Sequence, residues 1–182
     1  MPLKKAQTYI AVARALPTYG TFQNIVEKYD TMFNLNSPVG QREAVKFFLQ
    51  DVMKIINQEQ QGEEVSKSLV EYVGSKINEH DTIHNLHMAY AYSALWRRFQ
   101  NKEYFDKAES YFQKVLEVGP RLPHGLHALL ELYARSGNLV KAKEIGEVIL
   151  EYWPDNQNVR DYMEKISATM GLSVMTESLP NQ

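Results

Sequence analysis

Four of the chain's five histidines fall in two tetrapeptides, His84-Asn85-Leu86-His87 and His124-Gly125-Leu126-His127. Imidazoles three residues apart share one face of a helix. If both segments open the first helices of adjacent hairpins, stacked about 9 Å apart, the four rings converge. Two chemistries follow: coordination of a divalent transition metal, or a patch that gains charge below about pH 6.5. The opposing reading makes Leu86 and Leu126 core positions and the histidines ordinary polar flanks. It carries more weight, because metal sites place carboxylates behind their histidines and only Asp81 and Glu131 stand where one is needed. His84, His87, His124 and His127 therefore remain candidates, and no metal site is assigned.

The aromatic residues are the second source of chemistry. Eleven tyrosines are present, and Tyr90, Tyr92 and Trp96 fall on one predicted helix. Such side chains bury large areas at low entropic cost and suit partner surfaces. Helical spacing assigns Tyr92 and Trp96 to packing between hairpins and leaves Tyr90 for the surface. Enzyme signatures are lacking: the sequence has no phosphate-cradling glycine loop, no Gly-x-Ser-x-Gly elbow and no His-Glu-x-x-His helix. Glu63, Glu64, Glu109 and Glu117 occupy positions where amphipathic helices expose charge. No catalytic residue and no cofactor is expected.

These side chains need rigid elements to hold them, and the pattern supplies only helices. Apolar residues recur at three- and four-residue steps, without period-two alternation. Ala6, Tyr9, Ala13 and Leu16 form one stripe, ended by Pro17 and Gly20. Phe22, Ile25, Val26, Tyr29, Met32 and Phe33 form a second, broken at Asn36-Ser37-Pro38. A third stripe, Val45, Phe48, Leu49, Val52, Ile55 and Ile56, runs into a polar loop at Gln58 to Glu64 with Gly62 as its pivot. A fourth carries Val65, Leu69, Val73 and Ile77. The fifth helix starts after Asp81-Thr82, either of which can cap its first turn. Connections this short imply antiparallel hairpins.

The chain has 182 residues, 44% of them apolar, which is enough for a sizeable core. Its 20 basic and 22 acidic side chains give a net charge of −2, without the basic surplus that polyanion binding needs, so nucleic acid is not an expected partner. The absence of cysteine rules out disulfides, thiolate zinc sites and cysteine nucleophiles. No apolar run approaches the ~18–20 residues that cross a bilayer, so no direct membrane insertion is expected. Lys4 and Lys5 precede a short apolar run, but Arg14 interrupts it before a signal-peptide core forms, and the segment reads as an amphipathic helix.

The second half repeats itself. Phe99 and Tyr133, Ala108 and Ala142, Pro120 and Pro154, and Gly137 and Gly171 are each separated by 34 residues. The small alanines let the helices of a hairpin approach, Phe112 and Tyr133 fill the space between hairpins, and the prolines stop one hairpin before the next. Over about residues 82–171 the chain resembles the tetratricopeptide repeat family. Pro154-Asp155-Asn156, followed by Val159, Tyr162, Met163 and Ile166, resembles the helix that caps such arrays. Two positions depart from the family pattern: Gly146 stands where a bulky residue is usual, and Trp96 where a small one is expected if the register is counted back from Ala108. Counting forward from Asp81 gives a register six residues different, so the first repeat carries an insertion of about six residues, as a longer first helix or as a longer turn near Gln100 to Glu103.

The resemblance implies an all-α fold of antiparallel helical hairpins, stacked in a right-handed superhelix of about nine helices with a C-terminal cap. Hairpins at 1–80 would pack on repeats at 81–171, followed by a flexible tail at 172–182. It also implies a concave groove lined by Tyr90, Arg97, Asn101, His124, His127, Glu131, Arg135, Asn158, Asp161 and Lys165. That groove would hold a protein or peptide segment, or a glycan polymer. Members that clamp a terminal carboxylate use lysine, asparagine and arginine at positions occupied here by Ala94, His124 and Ala128, which disfavours that ligand.

A second similarity rests on segment order. Met32-Phe33-Asn34-Leu35-Asn36-Ser37-Pro38-Val39-Gly40-Gln41-Arg42-Glu43, then Tyr104-Phe105-Asp106-Lys107-Ala108, then Gly119-Pro120-Arg121, is similar to the soluble C-terminal tails of some bacterial O-antigen ligase-like membrane proteins. The catalytic residues of that family lie in its membrane-embedded part, so none is carried to this chain. The similarity implies an excised domain tethered to a membrane protein, on the extracytoplasmic face. The competing expectation is a free cytoplasmic adaptor for a peptide, and a metal- or pH-responsive histidine-lined groove is the third.

Overall fold

A computed structural model describes residues 26–27, 29–30, 33–34, 40–57 and 62–177 of the chain. The described residues contain helices and turns and no strand, as the apolar period requires. Among them run seven helices: α1 (Gly40–Ile56), α2 (Glu63–Gly74), α3 (Thr82–Phe99), α4 (Lys102–Val118), α5 (Pro123–Arg135), α6 (Leu139–Tyr152) and α7 (Gln157–Glu177). The stripe expected from Ala6 to Leu16 lies outside the described residues, as do Phe22, Ile25 and Met32 of the second stripe and residues 178–182 of the tail. Val26, Tyr29 and Phe33 are helical. The chain divides into two compact units, residues 1–114 and 115–182, with the division falling inside α4.

In the first unit α1 packs on α2 and α3, and α2 packs on α3. The cause is visible in α1, where Val45, Phe48, Leu49, Val52 and Ile56 are all buried. In α2 the buried face is Ser66, Leu69, Val70 and Val73. Val65 is 37% exposed and Ile77 lies past the helix end, so the stripe sits one residue around from the expected one. Ser66 hides in that face because its hydroxyl donates to the Gly62 carbonyl at 3.1 Å. Glu63 and Glu64 belong to the first turn of α2, not to the loop, where their charge meets the positive end of the helix.

Helix α3 is capped by Asp81, whose carboxylate accepts from the amides of Ile83 and His84 at 2.9 and 3.3 Å. At its far end Gln100 takes φ 55°, a left-handed conformation that disfavours side chains. Its own Nε2 offsets that cost by donating to the carbonyls of Trp96 and Arg97 at 3.2 and 2.9 Å. The turn to α4 is thus short, and α3 runs for 18 residues against 13 for α5. Tyr92 and Trp96 are buried; Tyr92 stacks on Tyr111 and Trp96 meets Phe105 edge-on.

In the second unit α5 packs on α6 and α6 on α7. The turn between α5 and α6 is Ser136–Asn138, which forces the two helices antiparallel. Gly137 supplies φ 79°, and the Asn138 carbonyl oxygen of the side chain accepts from the Lys141 amide at 3.2 Å. Asn156 caps α7 in the same way, accepting from the Val159 amide at 3.3 Å. Gly146 is buried on α6, facing Met163 of α7. The space beside Gly146 is filled by the Met163 side chain from the facing helix.

Candidate functional site

A cavity of about 680 Å³ opens in the second unit, lined by His127, Leu130, Glu131 and Arg135 of α5 and by Asn156, Asn158, Val159 and Tyr162 at the start of α7. Its size falls within the ~300–1,000 Å³ span of ligand clefts. Residues 127, 130, 131 and 135 share a face because they are three, four and eight steps apart on one helix. On α7, 158 and 162 are one turn apart. The buried side chains of Leu130 and Val159 form the floor, and polar groups form the rim.

The rim carries both charges and neutral amides. Arg135 Nε donates to Glu131 Oε1 at 2.7 Å, and both side chains are more than half exposed. Such a pair contributes only about 0.2–1 kcal/mol and yields readily to a competing ligand. Among the described residues the terminal amino groups of Arg135, the His127 ring, the Asn158 amide and the Tyr162 hydroxyl have no hydrogen-bond partner. They are available as donors and acceptors to whatever enters.

Comparison with protein-family models, curated proteins and solved structures finds no match. The chemistry of the chain's own residues must therefore carry the functional reading.

Four of the expected groove residues, His127, Glu131, Arg135 and Asn158, meet in this cavity. Leu130, Asn156, Val159 and Tyr162 complete it. Tyr162 and Val159 read from the sequence as apolar positions of the last helix, and Asn156 as part of the segment that precedes it; only their closeness to Asn158 pointed to the rim. Asp161 and Lys165 lie exposed on α7 outside the lining, and Asp161 accepts from Gln157 at 2.6 Å. His124 is exposed in the first turn of α5, also outside the lining.

Tyr90, Arg97 and Asn101 belong to the first unit. Tyr90 is half-buried, edge-on to the ring of Phe112. Arg97 is exposed. Asn101 is structural: its Oδ1 accepts from the Glu103 amide at 3.0 Å and its Nδ2 donates to Glu63 at 3.2 Å. Glu63 also accepts from the Tyr104 hydroxyl at 2.8 Å, so this carboxylate is engaged, against the expectation of a merely exposed charge.

The histidine tetrapeptides have different environments. His84 is buried and accepts the Asn78 amide at Nδ1, and His87 is half-buried. His124 and His127 are exposed. Among the described residues no group of three His, Asp or Glu side chains is placed to hold a metal ion. Among those residues, too, no helix is long and apolar enough to cross a membrane.

Proposed function

We propose that the chain is a non-catalytic helical interaction module of the tetratricopeptide kind, which holds a protein or peptide segment in the cleft between α5 and α7. The observation that carries this reading is the convergence of His127, Glu131, Arg135 and Asn158, from two helices, on one cavity. An extended segment offers alternating N–H and C=O groups, and an asparagine amide answers both. Tyr162 supplies an aromatic anchor beside the buried floor. Glu131 and Arg135 then select side chains by charge. Among the described residues no carboxylate bonds to the His127 ring, since Glu131 is paired to Arg135, which favours binding over bond breaking.

In this reading the hairpins stack as a right-handed superhelix of about nine helices, with α7 as the cap. The 34-residue spacing and the complete burial of Ala108 and Ala142 support it. The experiment is selection of displayed peptides on the immobilised protein, followed by affinity measurement. Arg135→Glu and His127→Ala are expected to weaken the selected peptides about tenfold or more, about 1.4 kcal/mol, while Lys143→Ala on the exposed face of α6 leaves them unchanged. Equal binding by wild type and both cleft variants would overturn the proposal.

The order of sequence segments further supports a module tethered to a bacterial membrane glycan-processing protein of the O-antigen ligase-like kind. An antibody raised against the module should then detect its native product in the membrane fraction, at a mass well above that of 182 residues. A free product of that length in the cytoplasm would instead favour the peptide adaptor.

A further inference from the structure

We propose that His84 is an acid-released latch: its neutral ring ties the connection between α2 and α3 to the head of α3, and protonation frees that connection. The geometry carries the argument. His84 is 2% exposed, and its Nδ1 accepts the Asn78 amide at 3.0 Å. Only an unprotonated nitrogen accepts a hydrogen bond, so this bond exists only with the neutral ring and its proton on Nε2. Nε2 is itself buried without a partner among the described residues. A second ring proton would destroy the Asn78 bond and place a charge in a buried site where, among the described residues, no acceptor bonds to Nε2.

The connection has few other ties. Asn85 Nδ2 donates to the Glu79 carbonyl at 2.8 Å, and the Asp81 amide donates to the Asn78 carbonyl at 3.0 Å. Residues 78–80 are exposed, so little apolar burial holds them. Losing the bond to His84 therefore loosens the segment locally, without touching the apolar face of α1.

The charged groups acting on His84 are Asp81, the cap of its own helix, and Arg42 on α1; His84 in turn acts on the neighbouring His87, which faces Lys46 and Glu43 of α1. Among the described residues α2 contributes none. Burial is the largest influence and pushes His84 below its ordinary value of 6.5, Arg42 adds to it, and Asp81 opposes. Asp81 is already committed to Arg42 at 2.5 Å and to two amides. The freed segment exposes the ring and so binds more protons than the latched one. The latch is at full strength above about pH 6.5 and weakens below it, by up to about tenfold per pH unit for one proton. The Asp81 carboxyl, held below its ordinary value by Arg42 and the two amides against its own desolvation, fails only in a separate window below 3.8.

The test is amide hydrogen exchange of the full chain between pH 8 and 5, corrected for intrinsic rates. Asn78 protection in wild type should hold steady down to about pH 6.5 and then fall by up to tenfold per pH unit. His84→Asn keeps an acceptor near the Nδ1 position and should flatten that fall; His87→Asn, the control for the neighbouring half-buried ring, should retain it. Constant Asn78 protection in wild type, or an equal fall in His84→Asn, would overturn the proposal. Should His84→Asn fail to fold, the nitrogen resonances of the wild-type ring decide. Titration of the ring together with movement of the Asn78 amide supports the latch, and titration without that movement refutes it.

Discussion

Replacing Phe48 by alanine is expected to cost the first unit about 3–5 kcal/mol, a large share of the roughly 5–15 kcal/mol by which domains are stable. The ring is fully buried on α1. Tyr29 meets it edge-on with centroids 4.1 Å apart at 83°, and Tyr72 lies tilted at 5.5 Å. Contacts of this kind add about 0.5–1.5 kcal/mol beyond the area they bury. Both tyrosines are themselves fastened at the hydroxyl, Tyr29 to Asp51 at 3.0 Å and Tyr72 to Asp30 at 2.5 Å, with Lys76 paired to Asp30 at 3.0 Å. Burial, then the partner carboxylate, pushes both phenols upward, so they stay protonated donors at any ordinary pH. Tethered hydroxyls stop the rings from collapsing into the space Phe48 leaves, which places the variant at the costly end of the range. Phe48→Leu retains most of the volume and should cost less than half as much. Urea midpoints at unchanged slope would measure both, and a loss below about 1 kcal/mol for Phe48→Ala would show that the aromatic cluster does not hold α1.

Phe48 is also a measure of what the sequence could reveal. The spacing of Val45, Phe48, Leu49, Val52 and Ile56 announced α1 and its inner face, because burial of an apolar stripe decides a helix of that length. The cap of α3 was legible as Asp81 or Thr82, because either residue type answers a local backbone need, and the structure assigns it to Asp81. Ser66 was not, since a hydroxyl that bonds to its own helix looks like a surface residue until the bond is seen. Nor was the engagement of Glu63, which depends on Asn101 and Tyr104, about forty positions away. In the cleft, α5 presented its charged face plainly. Tyr162 and Asn156 were obscured, because one residue serves both as packing and as rim, and the other both as cap and as rim.

Gly146 runs against local helix propensity. A glycine inside α6 costs about 1 kcal/mol relative to alanine, so propensity alone favours substitution there. A Cβ at this position would overlap Met163 Sδ and stand 3.0 Å from its Cγ and Cε, closer than side chains ordinarily approach. Met163 is flexible, and for Gly146→Ala its rearrangement and the gain in helix propensity should leave a small net change. Gly146→Leu needs the whole volume that Met163 fills, and is expected to destabilise the second unit by about 1–3 kcal/mol or more. Met163→Ala alone should cost about 2–5 kcal/mol through the cavity it leaves. Combined, Gly146→Leu and Met163→Ala move the bulk from α7 to α6 and restore part of the loss, a coupling of about 0.5–3 kcal/mol in a double-mutant cycle. Strict additivity would show that the two residues do not share one space. Because Tyr162 precedes Met163 directly and lines the cleft, the Leu variant should also weaken the selected peptides, and the double variant should recover affinity along with stability. Recovery of stability without affinity would separate the packing of α7 from the recognition attributed to its cleft-lining residues.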